Sequence, residues 1–141
     1  MASRERRTLE AVCDDARSEG RLTRGQWDRL RSAFGERLDK ARRLVEEGRV
    51  KRYVFEPSGR TAWIVVGRSG EYWVLPSAGY CSCSDFYFRV VDGDTGVCYH
   101  LIGQRLAEAL GSYDEVHEGD EFYDALMEEW RRQHLEDADG M

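Results

Sequence analysis

Three of the four cysteines and one of the three histidines fall within residues 81–100, as Cys81-Ser82-Cys83 and then Cys98-Tyr99-His100. Thiolate and imidazole suit a tetrahedral zinc ion, with bonds of about 2.3 Å to sulfur and about 2.0 Å to nitrogen. Two thiolates from a turn and a Cys/His pair entering a helix can close such a shell. The competing reading is buried cysteines or a redox disulfide. A Cys-x-Cys disulfide is badly strained, however, and three cysteines leave one unpaired. The expected cofactor is therefore one structural Zn2+ held by Cys81, Cys83, Cys98 and His100. Four protein ligands leave no open position for water or substrate, so the ion folds a loop and generates no hydroxide.

The elements that must position these ligands are legible from periodicity. Leu9, Val12, Cys13 and Ala16 recur at helical spacing until Gly20, which makes Cys13 a core residue and not a ligand. Thr23 and Gln26 form a capping-box pattern, and Trp27, Leu30, Phe34, Leu38, Ala41 and Val45 follow on one face up to Gly48. That predicts one long amphipathic helix with Arg and Lys on its other face. From Val50 the pattern changes to β-branched and aromatic runs, Val50–Glu56, Thr61–Val66 and Glu71–Leu75. Pro57-Ser58-Gly59 and residues 67–70 separate them as tight turns, so an antiparallel meander is expected. A further strand is expected over 85–91 and a turn over 92–96. A helix from Tyr99 stopped at Gly111 follows, then a C-terminal helix carrying Phe122, Tyr123, Leu126, Met127 and Trp130.

The fold class expected is α+β, a meander leading into a zinc finger between helical ends. The divisions are a helical segment over 1–48, meander and finger over 49–111, a helix over 112–135 and a disordered acidic tail over 136–141. One core with a satellite element is the size expectation for 141 residues.

Hydrophobic residues make up 41% and charged residues 34%, with two prolines, which places the chain among folded globular proteins and not disordered ones. No apolar run reaches the roughly 20 residues of a membrane span, and residues 1–7 have no apolar stretch behind them. The reading is an intracellular protein, in cytoplasm or nucleoid, with no membrane partner and no small-molecule substrate. The net charge of -6 conceals an asymmetry: residues 1–70 carry 17 Lys/Arg against 11 Asp/Glu, and residues 71–141 carry 4 against 16. Such a chain can present a basic face to phosphates or pair its two ends with each other.

The Cys-x-Cys and Cys-x-His doublets resemble the SWIM zinc finger. Further similarity lies in Pro57-Ser58-Gly59-Arg60, in Tyr80-Cys81-Ser82-Cys83 with Phe86, Phe88 and Val90, and in Cys98-Tyr99-His100-Leu101. With the total length, residues 54–110 resemble the small SWIM subunit of Shu-type recombination mediator complexes, found in eukaryotes with archaeal relatives. That subfamily usually has Ala three residues after the His, where this chain has Gly103. The resemblance implies a non-enzymatic subunit that pairs with a RecA-like recombinase paralogue and helps a recombinase filament form or persist on single-stranded DNA.

On the adaptor reading, Phe122, Tyr123 and Trp130, with Trp27 and Phe34, are candidates for docking the paralogue or a second copy, since aromatics carry much interface energy. On the alternative, direct binding of single-stranded nucleic acid, the candidates are the basic face of the long helix with Lys51, Arg52, Arg60 and Arg68. Catalysis through Asp85, Asp92, Asp94 or His117 is disfavoured, because no nucleophile elbow, phosphate loop or open metal site accompanies them.

Overall fold

The structure, a computed structural model, describes residues 4–68, 70–83 and 97–132. Among these residues the helices are α1 (Arg4–Glu19), α2 (Arg24–Phe34), α3 (Glu36–Glu46), α4 (Tyr99–Leu110) and α5 (Tyr123–Arg131). The strands are β1 (Val50–Glu56), β2 (Thr61–Val66), β3 (Glu71–Leu75), β4 (Tyr80–Cys81) and β5 (Asp114–Gly119), and they form one sheet in the order β4-β3-β2-β1-β5. The expected α+β fold and the β1-β2-β3 meander are both present. The strand and turn expected over 85–96, the tail 136–141, Asp85, Asp92, Asp94 and His134 lie outside the described residues.

The capping box at Thr23 is formed in full: its hydroxyl accepts from the Gln26 backbone at 3.2 Å while the Gln26 side chain accepts from the Thr23 N–H at 2.7 Å. The long helix that should follow is two helices. Gly35 adopts φ 58°, ψ -129° between α2 and α3, a conformation that a side chain would strain. The apolar spacing runs through the break because both helices face the same core: Leu30 and Phe34 from α2, Leu38, Ala41 and Leu44 from α3. At Gly103 a Cβ would stand 3.1 Å from Leu44 Cδ1 and 3.5 Å from the Ala41 carbonyl, so glycine lets α4 approach α3 closely.

Alternation along the strands divides the sheet between two cores. Val50, Val65, Tyr72, Val74 and Cys81 face α1 to α4 and join Leu9, Cys13, Leu38, Leu101 and Ile102. Phe55, Ala62 and Ile64 face the other way, where Met127 and Trp130 of α5 cover them. The helix expected over 112–135 is corrected accordingly. Residues 114–119 form β5, parallel to β1, and only from Tyr123 is the segment α-helical. Asp and Glu are poor strand formers, but the register places Asp114 opposite Lys51 and Glu115 opposite Arg52, and the ion pairs close at 3.1 and 2.7 Å. No helix among the described residues is long and apolar enough to cross a membrane.

Candidate metal centre

Cys81 is the last residue of the edge strand β4, and Cys83 lies two residues on. Cys98 is the N-cap of α4 and His100 sits in its first turn. All four are buried, between 1% and 4% exposed, and their ligand atoms lie within 4.8 Å of one another. A tetrahedral shell with bonds of about 2.3 Å needs sulfur separations of about 3.8 Å, so the cluster closes on an ion with shifts of at most about 1 Å. Both ring nitrogens of His100 are buried with no hydrogen-bond partner. Such a group is costly unless something satisfies it, and a metal ion among the thiols would take up one of the two nitrogens.

The thiols perturb one another strongly. Burial, reinforced by hydrogen bonds to Cys83 and Cys98, pushes the Cys81 thiol well above its usual range. Hydrogen bonds from Cys81 and Cys83, with the backbone N–H groups of Leu101 and His100, hold Cys98 well below it. For Cys83 a hydrogen bond from Cys81 lowers the pKa, but the bond toward Cys98 and burial outweigh it.

Residues that no spacing rule singles out hold the ligands in place. Ser82, 1% exposed, locks the Cys-x-Cys turn to β3: the Trp73 N–H donates to its Oγ and its own N–H donates to the Trp73 carbonyl, both at 2.9 Å. The other half is clamped one residue before Cys98. Arg37 Nη1 donates to the Val97 carbonyl at 2.7 Å, the Val97 N–H donates to Glu5 Oε1 at 3.0 Å, and Glu5 and Arg37 pair with each other. Arg6 donates to the Pro76 and Ser77 carbonyls at 3.1 and 2.7 Å, ahead of β4. Glu5, Arg6 and Arg37 read in sequence as ordinary solvated helix positions, so no signal distinguishes them.

Gly67 is fixed by proximity. A Cβ there would meet the Tyr72 ring at 2.5 Å and His100 Nε2 at 3.2 Å. Gly67→Ala should cost about 1–3 kcal/mol as an overpacking change and speed metal loss to a chelator by displacing the imidazole; wild-type release kinetics would show that the ring has room to move. Cys13, by contrast, lies in the core away from the cluster, its thiol pushed up to about 12 by burial. Cys13→Ser should leave the metal content unchanged, and metal analysis of the purified variant checks this.

The other candidates separate into distinct places. Trp130 is 2% exposed within its own chain, with Tyr53 edge-on at 5.0 Å, so it is a core residue and not a docking residue. Phe34 is likewise buried, and Trp27 is half-buried beneath the Arg42 guanidinium at 4.2 Å. Tyr123 packs edge-on against Phe55 at 5.0 Å, whereas Phe122 is 51% exposed. Among the proposed phosphate ligands, Lys51 and Arg52 are paired with Asp114 and Glu115. Arg60 lies 4.0 Å from Asp120 and over the Tyr123 ring at 3.9 Å. The basic and acidic halves of the chain thus pair with each other at this end of the sheet. Arg68 stands apart, exposed in the turn after β2. His117 is exposed beside Glu56 at 3.0 Å.

No protein-family model matches the chain, and no solved structure does. Among curated proteins it is similar to zinc finger SWIM domain-containing protein 7 of Mus musculus, 37% identical over 106 residues, which are 73% of this chain and 69% of the mouse protein. The Homo sapiens protein of that name is 30% identical over 107 residues, 74% of this chain and 76% of the human protein. A homologue in Dictyostelium discoideum is 34% identical over 86 residues, 60% of this chain and 55% of its own length. This likeness, reaching over two thirds of the mouse and human proteins, agrees with the buried Cys3His cluster: the chain belongs to the SWIM zinc-finger family represented by zinc finger SWIM domain-containing protein 7.

Proposed function

We propose that Cys81, Cys83, Cys98 and His100 hold one structural zinc ion, and that the chain is a non-enzymatic adaptor subunit pairing with a RecA-like recombinase paralogue in homologous recombination and DNA repair. The observation that carries the metal assignment is the buried four-residue cluster with both His100 nitrogens unpartnered. Three thiolates and an imidazole favour zinc over harder cations, and a shell filled by protein leaves the ion no substrate position. A closed shell supports a structural role, in which zinc pins β4 to the start of α4. The adaptor role is supported by the resemblance of residues 54–110 to the small Shu-type subunit. Contact with single-stranded DNA on this reading is indirect, through the complex and the recombinase filament it supports.

On this reading the docking surface lies at the exposed segment that enters α5. Phe122 is the large exposed apolar side chain there, directly before the half-buried Tyr123. Co-purification of the tagged chain from its source cell tests the reading. Recovery of a RecA-like protein, reduced by Phe122→Ala with no change in melting temperature, is the expected result. A monomer that recovers no such protein under native conditions overturns it. The reading of Lys51, Arg52 and Arg60 as phosphate ligands gains nothing, because each already faces a carboxylate.

A further inference from the structure

A cleft of about 180 Å³ opens beside the metal cluster, lined by Lys40, Arg43, Arg49, Arg68, Glu47 and Tyr99 among others. Four cations and one carboxylate meet there, on a chain whose net charge is -6. The cations come from three separate segments: Lys40 and Arg43 one turn apart on α3, Arg49 just before β1, and Arg68 in the turn between β2 and β3. Glu47 is engaged with Arg49 at 2.7 Å, and Arg49 also reaches the Val66 carbonyl at 3.4 Å. Lys40 lies over the Tyr99 ring at 5.6 Å. Lys40, Arg43 and Arg68 are exposed, and Arg43 also lies in the field of the Asp39 carboxylate one turn away on α3. Four cations against one carboxylate leave the cleft with an excess of positive charge, and a bound anion relieves the repulsion among them.

The size and donor types indicate the ligand. The cleft is smaller than the roughly 300–1,000 Å³ of pockets that hold drug-sized molecules, so it suits a compact charged group. Three of its four cations are arginines, whose planar fork matches phosphate oxygens in pairs. Its wall is also tied to the metal centre: Gly67 lines it and lies against His100, and Tyr99 stands between the ligands Cys98 and His100. The metal that fixes the start of α4 thereby fixes one side of the cleft.

We propose that this cleft is a phosphate-binding site built from Lys40, Arg43, Arg49 and Arg68, which takes the phosphates of a nucleic-acid strand or of a free polyphosphate. It goes beyond the adaptor reading and does not depend on it, because it concerns the chain alone. The test is fluorescence anisotropy of labelled oligo-dT with the zinc-loaded full chain at low salt, and competition by inorganic triphosphate. Lys40→Glu with Arg43→Glu should weaken oligo-dT binding at least about tenfold. It should also make the log-log salt dependence shallower by about 1.4, two contacts at about 0.7 each. Arg68→Glu, on a different segment, should weaken binding in the same direction. Arg24→Glu with Arg29→Glu, an equal charge change on the exposed residues of α2, should leave the slope unchanged. Triphosphate binding that the cleft variants abolish, without oligo-dT binding, supports the site with free polyphosphate as its source. Failure of both probes to bind at low salt overturns the proposal. So does equal weakening by the α2 and cleft variants, or displacement of the probes by poly-Glu as effectively as by triphosphate.

Discussion

His100→Ala is expected to release the zinc and to lower the melting temperature steeply. Its imidazole is the ligand that ties α4 to the Cys81-Ser82-Cys83 turn, and a structural zinc site of this type contributes an apparent 10–16 kcal/mol or so at neutral pH in small zinc-finger peptides. The cysteines belong to one apolar core and a second lies on the opposite face of the sheet, so part of the fold should persist without the ion. Hydrogen exchange should show lost protection at Tyr80 to Cys83 and in the first turn of α4, with β1, β2 and α5 still protected. Cys98→Ser should behave alike. The pH dependence has a fixed sign. Cys81 and Cys83 hold their protons above the usual thiol range in the metal-free cluster, so metal loading displaces them. Affinity therefore rises with pH, and acidification releases the ion. Zinc retained at full stoichiometry by His100→Ala would show that a different fourth ligand completes the shell.

The second large effect lies on the opposite face of the sheet. Trp130→Ala removes the largest fully buried side chain among the described residues and leaves a void among Tyr53, Phe55, Ile64 and Met127. Such truncations cost about 3–5 kcal/mol. Denaturant titration should show a lowered midpoint while metal analysis shows unchanged zinc, since this core does not touch the cluster. Phe122→Ala, eight residues earlier but 51% exposed, should change stability by less than about 0.5 kcal/mol. The contrast separates folding from docking within a single apolar stripe. Loss of zinc in Trp130→Ala would mean instead that the two cores unfold as one unit.

The cluster of Cys81, Cys83, Cys98 and His100 was legible because metal chemistry restricts residue type and spacing together, and the capping box at Thr23 because it is a local device. The break at Gly35 was hidden by its own neighbours: Phe34 and Leu38 keep the helical spacing across it, since both flanking helices pack on one core. β5 was unreadable for a different reason. Asp114 and Glu115 make sense in a strand only opposite Lys51 and Arg52, a pairing across more than 60 residues that local pattern does not contain. The stripe on α5 showed which residues are apolar but not what covers them, and the outer face of the sheet takes Trp130. Arg37, Glu5 and Ser82 support the metal site through backbone hydrogen bonds, which leave no trace in residue type. Charge segregation between the halves was visible, and the structure resolves part of it as pairing and leaves the rest lining the cleft beside Tyr99.

X-ray absorption at the zinc edge, with metal analysis of the same purified sample, tests the central claim most directly. One zinc per chain in a shell of three sulfurs at about 2.3 Å and one nitrogen at about 2.0 Å is the expected result. A sample without stoichiometric zinc, or a shell with an oxygen in place of one of the four ligands, would contradict a closed structural site formed by Cys81, Cys83, Cys98 and His100.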